Sequence, residues 1–314
     1  MVGLIIRRLL FAVPLLFVVS LAVFALQKLV PGDAAQTLAG GLNASPQAIE
    51  QVRHDLHLDD PFLVQYGRWI GGVLHFDFGD SLYSHRPVAD ELAERVPVTL
   101  GLAIVVFALA IPLAWVTGVV GGLRPGGIVD RVLMFLTSLA ISMPAFWVAL
   151  VLVTVFAIDF HLLPPFGYTK ISEDPAQWFR SIILPAIALA LASMAALSRQ
   201  VRAGLSETMQ SAFIRTAWAK GGNTRQVVAG HALKNSAIPA VTVMGLQVGA
   251  ILGGTVLIEQ IFSIPGIGIY MYNAVIDRDL PVIQAVTMLL VLGNVLANLV
   301  VDITYGYLNP KVRS

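Results

Sequence analysis

Cysteine is absent from the 314 residues, so no disulfide framework, thiolate nucleophile or cysteine-based metal site is available. Charge is nearly as scarce. Asp, Glu, Lys and Arg make up 12% of the chain, against about 25% in soluble domains. The net charge of +1 gives no basis for holding nucleic acid. No lysine follows a glycine, so the phosphate-binding loop of P-loop ATPases is missing and ATP hydrolysis through such a loop is excluded. The six histidines supply one near pair, His54 and His57, without a thiolate or a defined carboxylate set to complete a metal site.

Apolar residues fill the space that charge leaves: 57% of the chain, with a mean hydropathy of +0.79. Runs free of Asp, Glu, Lys and Arg occur at Leu9–Gln27, Val96–Leu123, Val132–Ile158, Ser181–Ser198, Asn235–Ile258 and Leu280–Val301. Each approaches or exceeds the ~20 residues that cross a bilayer as a helix. Segments this long and apolar are helices, because backbone groups in lipid must pair within their own segment. The first run is too long for a signal-peptide core and is expected to stay as a membrane helix. The expected fold is therefore an all-α polytopic membrane protein with six transmembrane helices. Residues 1–27 carry the first of them, 28–95 form a helical loop subdomain, and 96–314 hold the remaining five.

Basic residues set the orientation. Segments 1–8, 124–131, 199–234 and 302–314 hold 12 Lys and Arg against 3 acids, whereas 28–95, 159–180 and 259–279 hold 8 against 16. Positive charge stays inside, so both termini are expected in the cytoplasm.

Two soluble segments exceed what a connector needs. In 28–95, Ser45-Pro46 and Asp60-Pro61 each offer a cap followed by proline at a helix start. Helices are expected over Gln47–Leu56 and Phe62–Leu74, the second with Phe62, Tyr66, Trp69, Ile70 and Val73 on one face. A third short piece runs from Arg86 to Arg95. The segment either lies on the membrane surface or docks an external partner, and Asp77 and Asp80 are candidates to meet a basic surface there. In 199–234 the pattern is helix–turn–helix. Glu207–Lys220 ends at Gly221-Gly222, and Asn223-Thr224 caps a second helix through Leu233. The first helix presents Arg215, Trp218 and Lys220 to the cytosol, either to anionic lipid or to a partner's groove.

Within the runs, Gly245, Gly249 and Gly253 recur every four residues, a face that lets another helix approach closely or lines a pathway. Gln247, on a different face, needs a polar partner or water. Asn294 and Asn298 form an amide pair suited to joining helices. Pro112, Pro144 and Pro185 are expected to kink their helices locally. The absence of intramembrane charge argues against a stand-alone secondary transporter or channel.

In order along the whole chain, the sequence resembles the B-type permease subunits of ATP-binding-cassette (ABC) importers for dipeptides, oligopeptides, nickel and related solutes. Arg7-Arg8-Leu9, Leu29-Val30-Pro31-Gly32-Asp33, the stretch from Asp60 to Tyr66 and Phe78-Gly79-Asp80-Ser81-Leu82 carry the resemblance first. Phe213-Ile214-Arg215-Thr216-Ala217-Trp218-Ala219-Lys220-Gly221, His231 to Asn235, Glu259 to Gly268 and Leu308 to Arg313 complete it. The resemblance implies that 213–223 is a coupling helix seated in a cytoplasmic ATPase. In that role Arg215-Thr216-Ala217 stands where many permeases carry Glu-Ala-Ala. It also implies that Glu259, Phe262, Pro265, Gly266 and Gly268 belong to an external gating loop. The partners implied are a homologous second permease, two ATPases that hold ATP and Mg, an external binding protein and the lipid of a bacterial inner membrane. Peptide is the favoured solute, and a nickel chelate or another small solute is the alternative.

Overall fold

The computed structural model describes residues 2–26, 44–55 and 59–308. Among them all regular structure is helical: α1 (Val2–Leu26), α2 (Pro46–Asp55), α3 (Phe62–Leu74), α4 (Val88–Leu123), α5 (Ile128–Ser142), α6 (Ala145–Leu152), α7 (Pro175–Met209), α8 (Ala212–Ala219), α9 (Thr224–Val227), α10 (Leu233–Phe262), α11 (Ile267–Asp277) and α12 (Leu280–Leu308). Single π-helical turns extend α6 through Asp159 and join α9 to α10 over Val228–Ala232. The motifs at 29–33 and 309–313, and His57, lie outside the described residues.

Among the described residues four helices are long and apolar enough to cross a membrane: Val88–Leu123, Pro175–Met209, Pro239–Phe262 and Leu280–Gly306. Leu10–Ala25 is a shorter apolar helix. The run Val132–Ile158, read above as one span, is instead two helices, α5 and the extended α6, bent by 100° from one another. The cause is local. Proline disfavours helical backbone at the residue before it, and Met143 and Pro144 are both extended, at ψ 125° and 136°. Pro112 and Pro185 have no such effect and stay inside α4 and α7.

The chain divides into two compact units. One comprises Met1–Arg8, Pro97–Ile269 and Asn294–Ser314. Its core is apolar side chains from four helices and the loop that follows them: Leu102 and Val106 of α4, Ala149 of α6, Ile182 and Leu184 of α7, Ile258 and Phe262 of α10, and Ile264. Large apolar side chains on the opposite faces stay exposed, among them Ile104, Phe135, Leu246 and Val300. Exposure on this scale is what lipid covers. Arg8 pairs with Asp302 at 2.7 Å.

The other unit comprises Leu9–Val96 and Tyr270–Gly293. Here the aromatic face expected for Phe62–Leu74 is consumed internally. Phe62, Tyr66 and Trp69 surround Phe24 of α1 at ring separations of 5.3–5.6 Å, and the Tyr66 and Ser20 hydroxyls lie 2.7 Å apart. The third piece at Arg86–Arg95 leads into the long α4, which runs unbroken from Val88. Asp77 and Asp80 are both exposed, and Asp77 Oδ1 accepts the Gly79 N–H at 3.0 Å.

Candidate coupling and gating sites

Three features of the Pro97–Ile269 unit arrange the residues that the sequence singles out. The first is the hairpin around α8. Its expected helix, Glu207–Lys220, is broken at Gln210-Ser211, so Glu207 belongs to α7 and the short helix spans Ala212–Ala219. One side chain anchors it. Ile214 is fully buried against Leu205, Val227 and Ala232, with Val119, Met209 and Ala217 around them. Phe213 and Trp218 remain 49% and 39% exposed, and Arg215, Thr216, Ala219 and Lys220 are exposed as well.

The helix ends in a Schellman turn. The Gly222 N–H donates to Ala217 O at 3.2 Å and the Gly221 N–H to Trp218 O at 2.9 Å. Gly221 takes φ +83°, where only glycine is unstrained. A Cβ at Gly222 would stand 3.0 Å from the Ala217 carbonyl and from Val227. Asn223 and Gln226 then bond reciprocally, side chain to main-chain N–H, at 2.9 and 3.1 Å. This capping box starts α9, as the sequence leads one to expect. The result is a rigid hairpin offering two aromatic and two basic side chains.

The second feature is the clasp at the end of α10. The fifth charge-free run closes at Ile258, but the helix continues to Phe262 and carries Glu259 into the interior at 0% exposure. Its carboxylate accepts the Thr99 hydroxyl at 2.8 Å and the Ile269 N–H at 2.9 Å, while Thr99 Oγ1 accepts the Ile267 N–H at 2.8 Å. Ser263 closes the helix at φ +53°, so the chain folds back over its own last turn. Gly266 and Gly268 sit directly on the carboxylate, and a Cβ at Gly266 would overlap it. Phe262 is buried and its carbonyl accepts the Gly167 N–H at 2.8 Å, whereas Pro265 is exposed. Glu259, Phe262, Gly266 and Gly268 thus form one cluster.

The third is the glycine face of α10. A Cβ at Gly245 would lie 2.9 Å from Asn298 Oδ1, and one at Gly249 3.0 Å from Asn294 Oδ1. The glycines and the amide pair therefore meet across two helices. Gly253 departs from the expectation: no heavy atom lies within 4 Å of a Cβ placed there, and the residue is exposed. Gln247 is half-buried.

Sequence reasoning missed one pair. Arg202 of α7 grips Asp130 in the first turn of α5 with two guanidinium nitrogens, Nη2 at 2.7 Å, and the Gly126 N–H completes the carboxylate at 2.8 Å. Asp130 is 3% exposed, although both residues read as ordinary loop charges. No spacing links residues 72 positions apart.

Residues 110–314 match the binding-protein-dependent transport system inner membrane components, and residues 1–103 match the N-terminal domain of such membrane components. The chain belongs to this family of transport permeases. A peptide transport system permease protein of Brucella abortus is 39% identical over 313 residues, covering 100% of this chain and 99% of its own. The glutathione transport system permease protein GsiC of Escherichia coli K12 is likewise 39% identical over 313 residues, with the same coverage. A peptide ABC transporter permease protein of Sinorhizobium fredii is 36% identical over 309 residues and 98% of each chain. The permease is a multi-pass inner-membrane subunit of an ABC importer, and ATP use falls to partner ATPases.

Proposed function

We propose that this permease forms one half of the import pathway for small peptides, with α8 as the helix through which an ATPase drives it. The observation that carries the reading is the hairpin: a glycine-stopped turn anchored by the buried Ile214 and offering Phe213, Trp218, Arg215 and Lys220 to a partner. Full-length similarity to relatives named for peptide and glutathione transport supports the solute class.

In this reading a homologous second permease completes the pathway, two ATPases bind ATP and Mg, and an external binding protein delivers solute. Six spans place both termini in the cytoplasm, with the bent pair as the third, and residues 28–95 form the external subdomain. Asp77 and Asp80 sit on the side that meets the binding protein. Closure of the ATPases displaces α8, and that motion biases the permease between inward- and outward-open arrangements. The Glu259 clasp and its loop act as the external gate, opening as one body because their polar groups satisfy each other.

The natural absence of cysteine makes the test clean. Trp218→Cys supplies a single thiol, which is expected to crosslink to an ATPase subunit in native membranes. Uptake of a radiolabelled dipeptide is expected to require the ATPases. Dipeptide uptake through the permease without any ATPase would overturn the reading.

A further inference from the structure

Within the unit formed by Leu9–Val96 and Tyr270–Gly293 lies a cavity of about 250 Å³. The start of α4 contributes Glu91 and Arg95 to its wall. Tyr270, Asn273 and Asp277 of α11, and Asp279 just beyond it, supply much of the rest.

Two of these charges are already engaged. The Asp279 carboxylate accepts the Ser81 hydroxyl and, at 3.2 Å, the Leu82 N–H. The Arg95 guanidinium lies over the Tyr270 ring, 4.1 Å from its centroid, and donates to the Glu91 main-chain carbonyl at 3.1 Å. Such stacking holds a cation against the aromatic face.

What remains is a set of acceptors. Tyr270 is 8% exposed, and its hydroxyl, buried beside the Glu91 carboxylate, accepts no hydrogen bond. Burial first, and hydrogen bonding of the phenol toward that carboxylate second, raise its pKa, which keeps it a neutral hydroxyl with lone pairs to offer. Buried lone pairs left without a donor are costly. Glu91 is 4% exposed and has Arg86 at 3.8 Å, but Arg86 gives its hydrogen bond to Glu94 at 3.0 Å. Asn273 and Asp277 line the same cavity and are solvent-exposed.

The missing group is therefore a cationic donor. Three carboxylates against one guanidinium exclude an anion. Among the described residues no three His, Asp or Glu side chains are grouped to hold a metal ion. The volume is below the roughly 300–1,000 Å³ of small-molecule sites and suits the end of one long side chain.

We propose that this cavity receives a single lysine or arginine side chain of the external binding protein, its head group shared by Glu91, Asp277 and the Tyr270 hydroxyl. The inference rests on the reading above, in which this side of the permease is external. It explains why an acceptor is left buried and unused in the isolated chain.

The test uses the complete transporter in lipid nanodiscs, titrated with the binding protein of its own system. Tyr270→Phe removes one hydroxyl and leaves the ring under Arg95, and Asp277→Asn neutralises an exposed carboxylate. They are expected to raise the Kd for the binding protein about fivefold and roughly tenfold. Tyr272→Phe, on the same helix outside the cavity, is expected to leave that Kd unchanged. Unchanged Kd in both cavity variants would overturn the proposal. So would a raised KM for dipeptide uptake at unchanged binding-protein Kd, which would assign the cavity to the solute's own ammonium group. A wild-type complex that neither binds nor responds to any binding protein would instead refute the importer reading.

Discussion

The α8 hairpin and the Glu259 clasp carry the two most distinctive stretches of the sequence, and they spend their side chains in opposite ways. The hairpin has one buried anchor and leaves two aromatic residues half in solvent. The clasp leaves almost nothing outside: Glu259, Phe262 and Ile264 are all at 1% exposure or less. One stretch leaves its chemistry exposed, and the other uses it up in holding its own shape. Motif specificity therefore does not reveal whether a motif works by contact or by architecture. Burial does.

Breaking the clasp is expected to have the largest effect. Glu259→Ala removes the acceptor shared by the Thr99 hydroxyl and the Ile269 N–H and is expected to destabilise the permease by about 3–5 kcal/mol. The thermal midpoint of the detergent-solubilised complex measures this, and an unshifted midpoint would show that the clasp is not structural. Next comes a pair within the hairpin. Ile214→Ala is expected to cost about 2–4 kcal/mol of stability, whereas Trp218→Ala leaves the midpoint in place and lowers ATP-driven uptake. Equal midpoint shifts for the two would erase the distinction drawn above.

The glycine face sharpens the comparison further. Gly249→Leu drives a side chain into Asn294 and is expected to cost about 2 kcal/mol in assembly, read as loss of complex on size exclusion. Gly253→Leu, facing open space, is expected to assemble normally. The smallest effect belongs to the turn. Gly221→Val puts a branched side chain at φ +83°, costing about 1–2 kcal/mol, and is expected to lower uptake roughly tenfold with normal membrane levels.

Much of this was legible because its signals are local. Proline starts at Pro46 and near Pro61, the Gly221-Gly222 stop and the Asn223 cap act within a few residues, and each appears where the sequence places it. Charge-free runs likewise locate long helices, since composition alone decides solubility in lipid. What stayed hidden depends on tertiary contact. Arg202 and Asp130 look like two loop charges until packing brings them together. Glu259 reads as a solvent-facing loop charge until the helix is seen to continue past Ile258 and the loop to fold back over it. The bend at Pro144 was underestimated because a proline announces a break without giving its angle. The aromatic face of α3 was visible, but its partner, Phe24, was not.

The meeting of Gly245 and Gly249 with Asn298 and Asn294 also bears on how the chain is made. An amide in hydrocarbon is poorly tolerated without a partner or close protein neighbour. As α12 leaves the ribosome, α10 has already been synthesised, and its glycine groove is the surface against which these amides come to rest. The last helix is thus expected to be delivered into the membrane onto a template, and a chain with that groove filled would hand its final segment to the quality-control proteases.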